Sequence, residues 1–384
     1  MSLGDVFIST TAIPLAVVWS AISQPCVAFL RGLGVMCPVP GQAPVSNGLM
    51  DMSGRVVIVT GANTGIGSRT ALHLAKAGAR VIMACRSLER GEEARQKLEK
   101  EMRESPSSVA GTDGCGTGQG TLEVMKCDLG DLESVRRFAR DFKAKHGGQL
   151  DVLVNNAGVG IVDGPTLTAD GLDMIFGVNF VGHFCLTDEL MPLLKSTPAA
   201  RVVCLSSVMH HTGGTDWESS VIGHPNSPLS STYPDSKLAM VLFAKELRRR
   251  FAAAGSSATA FSVNPGAVRS DIWRNVPKLV MPIYDFFMRV FYLTPEQGCY
   301  TSVAASALPL EQLSGSDYYQ PYWLPFGRCA WPCEVFGPFQ GYAPGRPTLP
   351  KDEPAASSAL WTTCERIIQA AGSARGDAPN AARG

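Results

Sequence analysis

The chain has 384 residues, of which 45% are hydrophobic, so it can bury a substantial core in one large domain or two small ones. Lys and Arg together number 34, as do Asp and Glu, and no net field attracts a polyanion. The balanced charge, with no basic block that carries interleaved aromatic residues, argues against nucleic-acid binding.

The cysteines indicate a reducing environment. There are 11 of them, an odd number, without the short regular spacings of a disulfide framework. The closest pair, Cys329 and Cys333, is not spaced like a zinc knuckle and has no histidine nearby. The histidines form no metal-binding pattern either. We therefore expect reduced thiols and no structural metal.

Residues 1–37 form a hydrophobic N-terminal extension in which residues 6–30 carry no charge. As a helix, that stretch is long enough to cross a bilayer, for which about 20 apolar residues suffice. Pro14 and Pro25 would kink it, and the positive charge that precedes the apolar run of a signal peptide is missing. We predict a membrane anchor with the globular part in the cytosol, because Arg31 follows the segment. An amphipathic or plastid-targeting extension is the alternative.

Residues 38–53 are rich in Pro and Gly and are predicted to be a linker. From residue 54, short apolar runs alternate with amphipathic stretches such as 68–78 and 132–147. The strand candidates are "RVVIVT" (55–60), "RVIMAC" (80–85), "LEVMKC" (122–127), "LDVLVN" (150–155), "RVVCLS" (201–206) and "ATAFSV" (258–263). Such alternation is typical of a parallel sheet covered on both faces. The pattern predicts an α/β fold, a single doubly wound Rossmann domain over 54–350 with about seven parallel strands.

Three further segments depart from this alternation. Residues 105–121 have low complexity and are predicted to form a loop insertion between the second helix and the third strand. Residues 321–350 are rich in Pro, Gly and aromatic residues without a clear period, so we expect an irregular excursion there. Residues 351–384 are predicted to form a C-terminal helix and a disordered tail.

The segment "TGANTGIG" joins the first strand to the first helix. Gly61 permits a tight exit from the strand, Gly65 lets the backbone approach a phosphate, and Gly67 leaves room between helix and sheet. The helix N-terminus adds N–H donors and a positive potential. The predicted phosphate-binding residues are Gly61, Asn63, Thr64, Gly65, Ile66 and Gly67. A glycine-rich turn without a ligand is the alternative.

The end of the second strand predicts which dinucleotide binds. Sites for NAD usually place an acidic residue there, which holds the ribose hydroxyls. Here Cys85 occupies that place and Arg86 follows, and a guanidinium can pair with the 2′-phosphate of NADP(H). We predict NADP(H), although Arg86 could instead be an ordinary surface arginine. Asp128 and Leu129, after the third strand, are predicted to contact the adenine, with a helix N-cap as the alternative role for Asp128.

Further motifs follow at or near the carboxyl ends of later strands, where open α/β sheets bind ligands. They are "NNAG" (155–158), "GVNFVGHF" (177–184), "LSSVMHH" (205–211), "YPDSK" (233–237) and "NPGAVRSD" (264–271). With "TGANTGIG", they resemble the short-chain dehydrogenase/reductase superfamily. "ACRS", "SSVMHH", "DSKLAMVLFAKEL" and "TPEQGCYTSVAAS" are similar to its retinol dehydrogenase-like branch. The resemblance covers about residues 54–320.

The resemblance implies hydride transfer between a nicotinamide and a carbonyl carbon. Tyr233 would be the general acid/base and Lys237 its partner and a ribose ligand. Ser207 would bind the substrate oxygen, and Asn179 would hold a water beside Lys237 as a proton relay. A lysine four residues after a tyrosine lies on the same helix face and, with oxidised nicotinamide, is expected to lower the phenol pKa from about 10. Pro234, between them, is tolerated in a first helical turn.

The resemblance also implies further contacts with the cofactor. These residues are Asn155, Ala157, Gly158, Tyr233, Lys237, Pro265, Gly266, Val268 and Ser270. A plain turn is the alternative for the Pro-Gly pair at 265–266. His210 and His211 are interpreted as loop-packing residues rather than as extra acids.

Residues 271–298 are unusually apolar and, by the resemblance, form the substrate lid. Core helix or dimer interface is the alternative, and a homodimer is one expected assembly. Lid and anchor together predict a lipid-like substrate such as a retinoid, polyprenol, sterol or fatty carbonyl. The predicted location is the cytosolic side of the endoplasmic reticulum or a lipid droplet, with the plastid as the alternative.

The sequence thus predicts an NADP(H)-dependent oxidoreductase that interconverts an apolar alcohol and its aldehyde or ketone, with reduction favoured by cellular NADPH. One alternative is an NADPH enzyme similar to protochlorophyllide reductase, which shares the "YxDSK" pattern. Another is a non-catalytic dinucleotide-binding scaffold. A scaffold has no need of the complete set Asn179, Ser207, Tyr233 and Lys237.

Overall fold

The computed structural model describes residues 49–104, 120–160, 166–223, 232–269, 293–313, 315–323 and 339–376. The predicted anchor, nearly all of the 105–121 loop, Ser270 and most of the predicted lid lie outside these residues. Among the helices within the described ranges, none combines the length and the apolar character needed to cross a membrane.

The centre of the domain is an eight-stranded sheet with the order β3-β2-β1-β4-β5-β6-β7-β8. Its strands are β1 (Val56–Thr60), β2 (Arg80–Cys85), β3 (Thr121–Lys126), β4 (Val152–Asn155), β5 (Arg201–Leu205), β6 (Thr259–Val263), β7 (Tyr318–Trp323) and β8 (Phe339–Pro344). The first seven are parallel, and β8 pairs antiparallel with β7. The predicted doubly wound parallel sheet is confirmed.

Helices connect the strands and cover both faces of the sheet. They are α1 (Gly65–Lys76), α2 (Leu88–Glu104), α3 (Leu132–His146), α4 (Gly182–Ser196), α5 (Trp217–Val221), α6 (Tyr233–Ala253), α7 (Pro295–Gly298), α8 (Tyr300–Ala307) and α9 (Glu353–Gly376). One core contains side chains of α3, α4, α6 and α9, and the other contains side chains of α1, α2 and α8. Ile58 of β1 points into the first core and Val57 into the second, as strand alternation requires.

The chain reverses direction across the sheet between β1 and β4, which are neighbours although β2 and β3 separate them in sequence. Connections leave this point toward opposite edges, and a crevice forms beyond the carboxyl ends of the two strands. The glycine turn follows β1 and the "NNAG" segment follows β4. Topology alone therefore brings these two motifs together.

Two boundaries differ from the prediction. The domain includes the end of the predicted linker, because Met52 is buried and the N–H of Met50 donates to Ala307 O at 2.8 Å. The predicted irregular excursion contains β8, although residues 324–338 lie outside the described part. β8 is an edge strand and ends at Pro344. Pro321 of β7 lies beyond Tyr318 and Tyr319, which pair with β6, and the register between β7 and β8 shifts between Pro321 and Trp323.

Candidate active site

The glycine turn has the backbone that the sequence pattern requires. Gly61 and Gly65 have φ angles of +64° and +57°, in the region that favours glycine. A Cβ on Gly67 would lie 2.4 Å from the carbonyl oxygen of Gly61, so no larger residue fits between α1 and the turn. The structure therefore places the predicted phosphate-binding residues in a strand–turn–helix arrangement.

The residues around this turn fit a dinucleotide. Thr64 occupies the N-cap of α1, but its side chain does not cap the first turn, which leaves N–H donors for an anion. Ile66 packs against Val268, so the turns after β1 and β6 lie side by side. Gly266, with φ of +79°, is held by a hydrogen bond from its N–H to Asn264 Oδ1 at 3.0 Å.

At the end of β2, a neutral thiol stands where an NAD site would have a carboxylate. Cys85 is buried, and its pKa is raised to about 11 by burial, which the backbone N–H groups of Ala62 and Asn63 oppose in part. Arg86 follows and is exposed at the same edge. No acidic side chain thus occupies the position that would repel a 2′-phosphate.

The predicted adenine contacts are partly corrected. Asp131, not Asp128, caps α3, by accepting a hydrogen bond from the N–H of Glu133, so the N-cap interpretation of Asp128 is wrong. Asp128 is half-buried after β3 and accepts from Gly130 N at 3.0 Å. The Leu129 side chain lies in the core, which leaves only its backbone for a cofactor contact.

The "NNAG" segment divides into a buried half and a half beside the glycine turn. Asn155 is fully buried and donates to Thr187 Oγ1 at 3.0 Å, so its side chain supports the site and does not line it, contrary to our expectation. Asn156, which sequence reasoning missed, donates to Thr60 O at 2.8 Å. A Cβ on Gly61 would lie 3.0 Å from Ala157 Cα, which shows how closely the two segments approach.

Ser207, Tyr233 and Lys237 come together beyond β5. Tyr233 opens α6 and Pro234 falls in its first turn. The side chains of Tyr233 and Ser207 share a hydrogen bond. Lys237 Nζ lies 5.4 Å from the centroid of the Tyr233 ring and donates to Leu205 O at 3.1 Å. The tyrosine and lysine therefore face the same side of α6, next to the serine.

Burial controls the acidity of both groups. It raises the pKa of Tyr233 to about 12, although the hydrogen bond with Ser207 acts in the opposite direction. It also lowers the pKa of Lys237 to about 8. The phenol is therefore less acidic than usual in the protein without dinucleotide, and the acidification expected from Lys237 together with oxidised nicotinamide stays a prediction. Withdrawal from water disfavours phenolate and ammonium alike, and here this effect is the largest.

Asn179 lies in a π-helical turn, Gly177–Val181, directly before α4. Its Oδ1 accepts from Val159 N at 2.7 Å, and its Nδ2 donates to Val159 O at 3.0 Å and to Ser236 Oγ at 3.2 Å. A Cβ built on Gly158 would lie 3.3 Å from Asn179 Oδ1 and 3.5 Å from Lys237 Nζ. These two polar atoms thus face one small space above Gly158.

The two neighbouring histidines have structural contacts. His210 is buried, and its Nδ1 donates to Ser207 O at 2.6 Å. Burial lowers its pKa to about 4. His211 Nδ1 lies 2.7 Å from Thr348 Oγ1, and the two imidazole rings are 4.0 Å apart. These contacts agree with loop packing. Within the described ranges, no group of His, Cys, Asp and Glu is arranged to hold a metal.

The depressed pKa of Lys237 predicts that this lysine destabilises the fold. Below about pH 8 Lys237 is protonated in both states, and burial of the charge penalises the folded state. Between about pH 8 and 10.4 only the unfolded chain keeps the proton. Lys237→Met should therefore raise the free energy of unfolding near pH 7 by about 1–2 kcal/mol, after allowing for the lost bond to Leu205 O. The free energy of unfolding of the wild type should approach that of Lys237→Met as pH rises from 8 toward 10. Urea titrations of both proteins near pH 7 and pH 10 measure these free energies. If the difference between the two proteins does not narrow at pH 10, the prediction is contradicted.

Comparison with known proteins identifies the family. A model described as short chain dehydrogenase matches residues 55–279. Retinol dehydrogenase 14 of Homo sapiens is 39% identical over 268 residues, 69% of this chain and 77% of the relative. Retinol dehydrogenase 11 of Mus musculus is 40% identical over 270 residues, 70% and 78% of the two chains. Retinol dehydrogenase 13 of Mus musculus is 31% identical over 364 residues, 93% of each chain.

Solved structures show the same architecture. An uncharacterized protein of Mycobacterium paratuberculosis superimposes with a TM-score of 0.59 at 30% identity, over 85% of this chain and 98% of the other. A Pseudomonas aeruginosa RhlG/NADP active-site complex gives a TM-score of 0.51 at 21% identity, over 72% and 96%, a likeness of fold alone. The chain belongs to the short-chain dehydrogenase/reductase family, in its retinol dehydrogenase-like branch, and is an oxidoreductase of the class that binds a nicotinamide dinucleotide.

Proposed function

We propose that the protein uses NADP(H) to interconvert an apolar, lipid-like alcohol and its aldehyde or ketone. The observation that carries this proposal is the convergence of Ser207, Tyr233 and Lys237 beyond β5, beside the glycine turn. Arg86 and the neutral Cys85 support NADP(H) over NAD. The retinol dehydrogenase relatives support the substrate class, with a retinoid, polyprenol, sterol or fatty carbonyl as candidates.

The dinucleotide, when bound, supplies or accepts the hydride. In reduction, negative charge develops on the carbonyl oxygen, where the Ser207 hydroxyl would donate a hydrogen bond. Tyr233 would then protonate that oxygen as general acid. A tyrosine whose pKa is raised to about 12 carries its proton near neutrality, which suits this direction. In oxidation, the positive charges of Lys237 and the oxidised nicotinamide would both favour the phenolate.

Tyr233 must regain its proton after each reduction, and the space above Gly158 offers a route. The Cβ position that Gly158 leaves empty lies 3.3 Å from Asn179 Oδ1 and 3.5 Å from Lys237 Nζ, so both polar atoms border a space that holds no side chain. We propose that a water in this space, beyond the Cβ position, connects Lys237 to Asn179. Lys237 would exchange protons with it and so restore the hydroxyl of Tyr233.

Gly158→Ala should displace that water, because the methyl group would fill part of the space between Asn179 Oδ1 and Lys237 Nζ. We expect kcat to fall about tenfold, since proton relay contributes as general acid–base catalysis does. Affinity for NADPH, measured by fluorescence titration, should change less. Gly372→Ala, at an exposed position in α9, is the matched control and should change neither kcat nor the affinity for NADPH. A fall in NADPH affinity as large as the fall in kcat would mean that the methyl group obstructs the cofactor, and would contradict the relay.

We also propose that the protein associates with membranes on the cytosolic side of the endoplasmic reticulum or a lipid droplet. The uncharged run at residues 6–30 and the apolar segment 271–298 support the membrane placement. Full-length protein should sediment with membranes after cell lysis. Recovery in the supernatant would contradict this placement without touching the chemistry.

The function is tested by substrate screening with purified full-length protein. NADPH oxidation should be faster with retinal, long-chain aldehydes, polyprenals or sterol ketones than with short polar aldehydes, because an apolar site gains by removing apolar surface from water. Absorbance of NADPH follows the reaction. If none of these carbonyls is reduced with NADPH or NADH while dinucleotide still binds, the protein is a scaffold and the proposal fails.

A further inference from the structure

His183 is a fully buried histidine in the first turn of α4 that has no part in the chemistry proposed above. Its Nδ1 lies 2.9 Å from the backbone oxygen of Asn179. Its Nε2 lies 2.9 Å from Thr60 Oγ1. The ring therefore bridges the end of β1, where the glycine turn begins, and the π-helical turn that carries Asn179.

The surrounding hydrogen bonds define the tautomer of this ring. A carbonyl oxygen only accepts, so Nδ1 carries the hydrogen and Nε2 is an acceptor. Thr60 Oγ1 already accepts from the N–H groups of Asn156 and Ala157 at 2.9 and 3.0 Å. Its own hydrogen can therefore go to His183, since the competing acceptor Val154 O is farther away at 3.3 Å. A neutral ring satisfies every partner, and burial keeps it neutral by lowering its pKa to about 3.

The hydrogen bonds continue from Asn179 to the catalytic helix. The Asn179 amide is bonded to both backbone groups of Val159 and to Ser236 Oγ. Ser236 Oγ in turn donates to Tyr233 O at 2.7 Å. A continuous buried path thus runs from Thr60 through the imidazole to the first turn of α6.

We propose that His183 is a positioning residue that holds Asn179 in register with the glycine turn. It would thereby align the Asn179 amide with Lys237 and Tyr233, and this role rests on the function proposed above. A π-helical turn has a less regular bonding pattern than an α-helix, so a side-chain bond to its backbone can specify its geometry. A displacement of about 1 Å in a positioned group can cost about 10²-fold in rate.

His183→Phe keeps an aromatic ring and removes both nitrogens. With NADPH and retinal, we expect kcat to fall about 10- to 100-fold while the NADPH Kd changes less than about threefold. His183→Gln has an N–H donor and an oxygen acceptor and should restore most of kcat. A purely structural histidine would affect stability without this kcat effect and without rescue by glutamine.

Leu194→Val is the matched control in the same helix. Leu194 is fully buried in the apolar core about three turns beyond His183, so the smaller side chain should lower stability and leave kcat unchanged. The wild-type protein provides a second measurement. Nitrogen NMR of histidine-labelled full-length chain, assigned with His183→Gln, should show the neutral ring with its hydrogen on Nδ1.

Unchanged kcat in folded His183→Phe, an equal loss of kcat in Leu194→Val, or a hydrogen on Nε2 would each overturn the proposal. If His183→Phe fails to fold, the NMR measurement of the wild-type ring tests the proposal, and a hydrogen on Nε2 overturns it. Turnover that needs the Tyr233 hydroxyl but is indifferent to His183 overturns this inference alone. Turnover that persists without the Tyr233 hydroxyl overturns the proposed function as well.

Discussion

Tyr233→Phe should lower kcat for the reduction of an apolar aldehyde by about 10²- to 10⁴-fold, the range that a positioned proton donor contributes. The variant removes one oxygen and keeps the aromatic ring, so the ring contact with Lys237 Nζ at 5.4 Å can persist. Lys237 also keeps its bond to Leu205 O. The NADPH Kd should remain within about threefold, because Arg86 and the glycine turn, which we propose hold the opposite part of the cofactor, are unchanged. Stopped-flow measurement of NADPH oxidation and a fluorescence titration give the two quantities.

The control for this variant is Tyr319→Phe, which removes a hydroxyl from the core on the other face of the sheet from α6. Tyr319 is buried, and its hydroxyl donates to Leu313 O. Losing that bond should cost about 1 kcal/mol of stability and leave kcat unchanged. Near-normal turnover in Tyr233→Phe would eliminate the proposed mechanism. An equally large loss in Tyr319→Phe would show that the assay responds to general destabilisation.

The arrangement of the parallel sheet could be predicted because its strands carry a strong local signal. The run at 80–85, buried on both faces except for Arg80, became β2 with the predicted bounds. The edge strand β8 had no such signal. β8 contains Gly and Pro and pairs antiparallel at the rim, where irregular composition is tolerated. Composition therefore indicated loop where the structure has strand.

The site divides in a similar way. The shared helix face of Tyr233 and Lys237 was predictable from their spacing, and their assignment to the site came from the resemblance of the surrounding motifs to the family. His183 was not, because its bond to Thr60 joins residues 123 positions apart and depends on how α4 packs on the sheet. The raised pKa of Tyr233 in the protein without dinucleotide was not predictable either, since spacing shows a neighbouring cation but not the burial that opposes it. A histidine within the mostly apolar stretch "GVNFVGHF" was the sequence signal for the hydrogen-bonded path from Thr60 to α6.

Arg86→Asp should reverse or abolish the preference for NADPH. A hydrogen-bonded pair between a guanidinium and a phosphate is worth about 1.5–3 kcal/mol, and the introduced carboxylate would also repel the 2′-phosphate. We therefore expect the ratio of kcat/KM for NADPH to that for NADH to fall about 10- to 100-fold or more. With NADH, the carboxylate can accept from the ribose hydroxyls, so kcat/KM should hold or rise. Steady-state assays with both dinucleotides and one aldehyde give the ratio.

Lys97→Asp makes the same charge change at an exposed position on α2. It distinguishes a direct contact of Arg86 with the 2′-phosphate from an effect of the overall surface charge. Surface charges more than about 10 Å from the phosphate are largely screened at 0.1 M salt, so this control should leave the ratio nearly unchanged. Equal ratios in wild type and Arg86→Asp would show that the arginine is only a surface residue. The preference would then have to come from backbone donors near the glycine turn, because Cys85 is buried and uncharged and cannot discriminate between the two ribose groups by charge.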